Sequence, residues 1–221
     1  NAALQPFEET LPAPAAPTAP VLLFFGVPRC GKTFFSQLLT QGLDLGYVNN
    51  VAARLWRAPV TGMRLSRLLG LDHGESAFES DYGKTGRLTD PHDFHYFWQH
   101  WLRIDRFPYD AQARRAVIDW DGFGAELRRM SAFWGRPGIF KAIDATWFMS
   151  EVVAAYPQAV FVYLERDPID CACSLAKGRI DNYGTPERWY GQAPAPADYE
   201  RLAGLPWPDQ VAGQLRSLLD L

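Results

Sequence analysis

Val21 to Phe25 is an unbroken apolar run closed by Gly26, the pattern of a parallel strand buried on both faces. Directly after it, Phe34, Phe35, Leu38 and Leu39 recur at helical spacing, which predicts a helix over Gly31 to Gln41. Two later runs also read as strands, Gly138 to Ile143 and Ala159 to Leu164. Each is followed by a helical stretch, Ala145 to Ala155 before Pro157, and Ile169 to Lys177 with Pro168 where the helix opens. Strands alternating with helices predict an α/β fold: a three-layer sandwich whose central parallel sheet is flanked by helices.

The middle of the chain reads as helical over Val51 to Arg57, Met63 to Leu69, Pro91 to Leu102 and Gly124 to Trp134, the last ending before Gly135 and Pro137. The third of these has Asp90 placed as N-cap and Pro91 at the first position. Asp72 to Thr89 is polar and glycine-bearing, so a long loop or lid is expected there. A Pro-rich loop at Gln192 to Ala197 precedes a closing amphipathic helix over Pro208 to Leu219. Residues 1–20 are Ala/Pro-rich and read as an extended tail or linker, leaving residues 21–221 as one domain.

Composition narrows the function. With 48% hydrophobic residues and eight Trp in 221, the chain can bury a sizeable core and is not disordered. A formal net charge of −3 argues against a nucleic-acid partner, which selects a basic surplus, but leaves room for a local small-anion site. Of three Cys, Cys171 and Cys173 lie two apart, which suits neither a redox pair nor a zinc knuckle. Reduced thiols in a cytoplasmic setting, and no metal, are the expectation. No apolar run approaches the ~20 residues of a membrane helix, and no signal-peptide pattern is present, so no membrane insertion is expected of these residues.

Gly26-Val27-Pro28-Arg29-Cys30-Gly31-Lys32-Thr33 has the spacing GxxxxGK followed by Ser or Thr, between a strand and a helix. That is a P-loop: glycines let the backbone wrap an anion, and the opening helix adds its positive end. Lys32 and Thr33 bring an ammonium and a hydroxyl to the same place. An ATP-using enzyme would also need a strand ending in a magnesium-holding Asp. Asp119 and Asp144 follow apolar runs, but neither matches that pattern cleanly. The strongest late strand ends in Glu165-Arg166, and a cation there fits a second phosphate.

Here the chain resembles the sulfotransferases that use 3′-phosphoadenylyl sulfate (PAPS), and within them the bacterial carbohydrate-type members. Glu165-Arg166-Asp167-Pro168 with Ser174 eight residues after the Arg is similar to their 3′-phosphate motif. Pro28-Arg29-Cys30-Gly31-Lys32-Thr33 is similar to the Pro-Arg-Ser-Gly-Thr-Thr of many bacterial members, with Cys30 in place of Ser and Lys32 in place of the first Thr. Tyr82-Gly83-Lys84-Thr85 and Pro91 to Trp98 extend the likeness, which runs from about Val21 to Arg179.

The resemblance implies a PAPS-dependent sulfotransferase acting on a hydroxyl or amine of a carbohydrate or small molecule. PAPS would be held by Pro28, Arg29, Cys30, Gly31, Lys32, Thr33, Phe34, Arg166 and Ser174. Arg29 would face the bridging oxygen, with Lys32 assisting, and Lys141 the sulfuryl group. The family's base position falls on Ile143, so Asp144, Asp93 and His92 stand as alternatives, with His95 in the same cluster as Asp93 and His92. Tyr82, Phe97, Trp98, Trp101, Trp134 and Trp147 are aromatic enough to wall an acceptor pocket, though core packing accounts for most of them more simply. The C-terminal glycine loop that closes the 3′-phosphate site in relatives has no match after Ser174, so a truncated chain or unmatched stretches are expected. A P-loop kinase or NTPase, favoured by Lys32, and a catalytically inactive nucleotide-binding module remain the alternatives.

Overall fold

The computed structural model describes residues 1–105 and 107–220. In chain order its first elements are α1 (Gln5–Glu9), β1 (Val21–Phe25), α2 (Lys32–Gly42) and α3 (Pro59–Leu68). A small hairpin of β2 (Ser80–Asp81) and β3 (Lys84–Thr85) leads to α4 (His95–Trp101), α5 (Ala111–Arg115) and α6 (Trp120–Trp134). Then come β4 (Gly138–Lys141), α7 (Met149–Ala155), β5 (Ala159–Tyr163), α8 (Pro168–Tyr183), α9 (Pro196–Ala203) and α10 (Trp207–Leu219).

The three strands read from the sequence form one parallel sheet in the order β4-β1-β5. Register fixes where chemistry can occur. Val21 lies opposite Gly138 and Ala159, and Phe24 opposite Lys141 and Val162, so all three strands end at one edge. Ligand sites in open α/β sheets form at that carboxyl edge. The main core joins Leu23 and Phe140 of the sheet to Phe97, Trp98, Phe123, Leu127 and Val152 of the helices. Phe24 and Ile139 pack with Leu45 and Tyr47 in a second cluster, and a third joins the loop residues Val27 and Cys30 to Cys171, Leu175, Val211 and Leu215. No described helix is long and apolar enough to cross a membrane.

Three expectations change. The helix expected from Pro91 begins at His95, because Pro91 instead makes an extended bridge with Asn49. Asp90 is buried there, accepting from the Arg87 amide at 3.1 Å rather than capping a helix. The Pro-rich loop holds over residues 192–195 and ends two residues early, where Pro196 opens α9.

Residues 1–20, expected to be an extended tail, pack against the sheet domain. Glu8 is 1% exposed; its carboxylate accepts from the Val60 and Thr61 amides, at 2.5 and 3.1 Å, and from the Thr61 hydroxyl at 2.6 Å. This caps α3, whose own flanking residue Ala58 has no side chain to do so. Further on, the Tyr156 hydroxyl donates to the Ala19 carbonyl at 2.6 Å. A cap supplied from so far along the chain leaves no local sequence signal.

Beside Glu8, Glu126 is 3% exposed, and its Oε1 has no hydrogen-bond partner while Oε2 accepts from Arg129 at 2.8 Å. Burial and the nearby Glu8 carboxylate push its pKa up to about 8, against the opposing pull of Arg129. The folded state therefore binds a proton that the unfolded chain has released, and stability falls as pH rises from the ordinary carboxylate range towards about 8. Glu126→Gln is expected to flatten that decline and raise the urea midpoint at pH 8, while leaving the midpoint at pH 4 nearly unchanged. Urea titrations of both proteins across that range check it.

Candidate active site

The glycine-bearing loop between β1 and α2 turns on three positive φ angles, at Gly26 (138°), Arg29 (71°) and Gly31 (103°). Gly26 admits no side chain, since a Cβ would lie 2.5 Å from the Leu164 carbonyl. A Cβ at Gly31 would meet no protein atom within 4 Å, so the cradle is open on that side. The 11-residue α2 opens with no side-chain cap, leaving its first amides available to an anion. Arg29 carries the unfavourable left-handed backbone itself, a strain of the kind found at functional positions.

Lys32 does not reach across this cradle. It is 6% exposed, and its ammonium donates to the carbonyls of Gly26 (2.7 Å) and Val27 (2.8 Å) and to the Cys30 sulfur (3.3 Å). Burial pushes its pKa down, with Cys30 opposing. The lysine braces the loop from inside, and Cys30 faces it rather than the cavity.

The late strand delivers Arg166 to the same place. Its Nη1 donates to the Arg29 carbonyl at 3.2 Å, and its Nη2 lies 3.5 Å from Asp170. Asp167 caps α8 by accepting from Ile169 and Asp170, which sets the helix that carries Ser174. Ser174 in turn accepts from Arg29 Nε at 2.9 Å, and the Arg29 guanidinium lies 4.6 Å from the centre of the Tyr82 ring. Arg29, Lys32, Thr33, Lys141 and Arg166 thus line one cavity of about 230 Å³. The two loops read separately from the sequence meet there. Phe34, on the exposed side of α2, also lines it, as do Pro28 and Gly31.

Lys141, at the end of β4, is 4% exposed. It makes only two long hydrogen bonds, to the Thr33 hydroxyl (3.4 Å) and the Gly83 carbonyl (3.3 Å). Burial pushes its pKa down to about 8, with Asp93 opposing and Lys32 reinforcing the shift. A buried ammonium so weakly held is ready to take an anion.

The base candidates separate by geometry. Asp93 is the single carboxylate lining the cavity; it accepts from the His95 amide at 3.3 Å. His92 accepts from the Phe94 amide through Nδ1 at 2.8 Å, so its ring proton belongs on Nε2 and it can donate but not accept there. Burial pushes the His92 pKa down, which keeps the ring neutral. Asp144 lies outside the cavity lining, 3.5 Å from His95 Nδ1, and that hydrogen bond raises the His95 pKa. Asp119, the other magnesium candidate, accepts from the Gly122 amide at 2.9 Å as the cap of α6. Among the described residues no group of three or more His, Cys, Asp or Glu is placed to hold a metal ion.

No family model matches the chain, and no curated protein matches it. Among solved structures, the crystal structure of sulfotransferase STF1 from Mycobacterium tuberculosis H37Rv is similar in backbone, with a TM-score of 0.49 and 14% identity over 99% of this chain. The chain spans 63% of the length of that protein. With so few shared residues, the reading of Arg29, Lys141 and Asp93 comes from their own surroundings.

Most of the aromatic residues considered as an acceptor wall belong to the core. Phe97, Trp98 and Trp134 are buried, and Trp101 and Trp147 pack half-buried against the core clusters. Tyr82 alone of that set lines the cavity of about 230 Å³. Tyr190, Gly191 and Gln192 join it unannounced by any motif. They are held from below: Gln214 donates to the carbonyls of Tyr190 (3.0 Å) and Gln192 (2.7 Å), and Arg179, wholly buried, donates to Gln214 at 2.9 Å.

Proposed function

We propose that this chain binds PAPS and transfers its sulfuryl group to a hydroxyl or amine of a small acceptor, without nucleic acid as a partner. One observation carries the reading: the loop after β1 and the end of β5 border one cavity, whose lining brings Arg29, Lys141 and Arg166 together with the carboxylate of Asp93. An adenine nucleotide charged at both its 3′ and 5′ ends suits that pair of places, with the α2 amides near one end and the Arg166 guanidinium near the other.

When bound, PAPS supplies an activated sulfuryl group on a phosphate that can leave. The first amides of α2 and the open face at Gly31 would hold the 5′ end, and Arg166 with Ser174 the 3′-phosphate. Arg29 would stabilise negative charge on the departing phosphate, and Lys141 charge on the sulfuryl oxygens. Asp93 would take the proton that the acceptor hydroxyl or amine loses as it receives the sulfuryl group and the 5′-phosphate leaves. The protein's part is alignment and charge, as in phosphoryl transfer.

Lys141 gives this reading a pH signature. Burial pushes its pKa down to about 8, so affinity for PAPS, which carries the sulfuryl group that Lys141 would face, is expected to weaken as pH rises through about 8. Lys141→Arg, which stays charged, is expected to bind with little change over the same range. Calorimetry at pH 7 and pH 9 checks this.

The activity itself is tested by incubating the chain with PAPS, EDTA and a panel of hydroxyl and amine acceptors. Chromatography should reveal acceptor-dependent formation of adenosine 3′,5′-bisphosphate. No such product, together with consumption of ATP once Mg²⁺ is supplied, would transfer the assignment to the kinase class.

A further inference from the structure

A second cavity of about 410 Å³ has a lining that includes Asn50, Arg54, Trp56, Thr85, His92 and Tyr96. The two cavities are bordered by consecutive or nearly consecutive residues. His92 lines one and Asp93 the other, while Thr85 lines one and Gly83 the other. We propose that this second cavity is the acceptor site, and that it selects a hydroxylated six-membered ring carrying an anionic group. The proposal rests on the PAPS reading for the identity of the neighbouring cavity and adds the class of molecule that receives the sulfuryl group.

Size and position come first. The volume lies within the range of small-ligand sites, about 300–1,000 Å³. A ligand seated there has the proposed base, Asp93, one residue along the chain from its wall at His92.

Chemistry sets the class. Arg54 forms no ion pair among the described residues, and no carboxylate lines its cavity. A neutral ligand covering it would strip water from an unpaired guanidinium, whereas an anionic one replaces that water with a charge-assisted pair. Arg54 also sits on a pinned turn, since Asn1 Nδ2 donates to its carbonyl at 2.7 Å. Arg57 adds positive charge nearby, its guanidinium 4.8 Å from the centre of the Trp56 ring.

The aromatic part of the wall sets the shape. Trp56 and Tyr96 lie 6.2 Å apart between ring centres and 32° from parallel. A ring sandwiched between them would need about 7 Å, two van der Waals contacts of about 3.5 Å each. The pair is therefore a platform with room on its open side for one flat or chair-shaped ring. His92 completes the set with a proton on Nε2, a donor suited to a ligand hydroxyl or ring oxygen.

Two sources share this chemistry, a hexuronate sugar and a hydroxylated benzoate, and one experiment separates them. Binding to the full chain is measured by ligand-observed NMR for methyl β-D-glucuronide against methyl β-D-glucoside, and for 4-hydroxybenzoate against phenol. The charged member of at least one pair is expected to bind about tenfold or more tightly than its neutral partner, the value of a charge-assisted contact. Arg54→Gln is expected to abolish that preference. The pair that shows it identifies the source. Equal affinity within both pairs, no binding by any of the four, or a preference that survives Arg54→Gln would overturn the proposal. Calorimetry with adenosine 3′,5′-bisphosphate is run on the same two proteins, and equal affinity is expected. Failure of both to bind the bisphosphate would count against the PAPS reading, while the four acceptor affinities still decide whether this cavity takes an anionic ring.

Discussion

Exchange of Asp93 for Asn is expected to lower kcat by about 10²–10⁴-fold, the usual worth of a positioned general base. KM for donor and acceptor should change little. Asn retains the oxygen that accepts from the His95 amide at 3.3 Å, so the loop before α4 keeps its shape while the basic group is lost. The neighbours cannot take over. His92 has its Nδ1 lone pair committed to the Phe94 amide, and Asp144 is held against His95 outside the cavity lining. Steady-state rates check this, and a loss under about threefold would take the proton-accepting role away from Asp93.

Arg29→Ala is expected to lower turnover by about 10²–10³-fold, the cost of removing one donor aimed at developing charge. Affinity for adenosine 3′,5′-bisphosphate should fall by less, about tenfold or below, because the α2 amides and Arg166 remain. Arg29→Lys is expected to recover little. Only the guanidinium can donate to Ser174 from Nε while lying over the Tyr82 ring at 4.6 Å. Parallel measurement of kcat and of bisphosphate binding separates the two effects, and an unchanged rate would remove Arg29 from the chemistry.

The central sheet was legible because its three strands are apolar on both sides and carry their turn residues beside them. Val21 to Phe25 with Gly26, and Ala159 to Leu164 with Arg166 and Pro168, need nothing from the rest of the chain to be recognised. The site was legible only as two separate loops. What joins them is the parallel register, which brings the ends of β1, β4 and β5 to one edge. Spacing alone misassigned Asp90 and Pro91, since a capping pattern cannot reveal that Asn49 pairs with Pro91 across 42 residues. It also could not reveal that Lys32 bonds its own loop, because the motif gives residue types and not the direction of an ammonium. Glu8, Tyr190 and Gln192 act through contacts distant in sequence, and their neighbours in the chain carry no trace of them. Residues 1–20 illustrate the same limit. Proline and alanine predicted an extended tail or linker, and the chain alone does not announce that the buried Glu8 carboxylate bonds the start of α3.

The most direct measurement is a pair of calorimetric titrations in EDTA, with adenosine 3′,5′-bisphosphate and with adenosine 5′-monophosphate. One cavity that grips both charged ends predicts that the bisphosphate binds about 10²-fold or more tightly, and that Arg166→Ala brings the two affinities close together. Equal affinity for the two nucleotides in the unaltered chain, or binding that appears only with Mg²⁺ and a triphosphate, would contradict it.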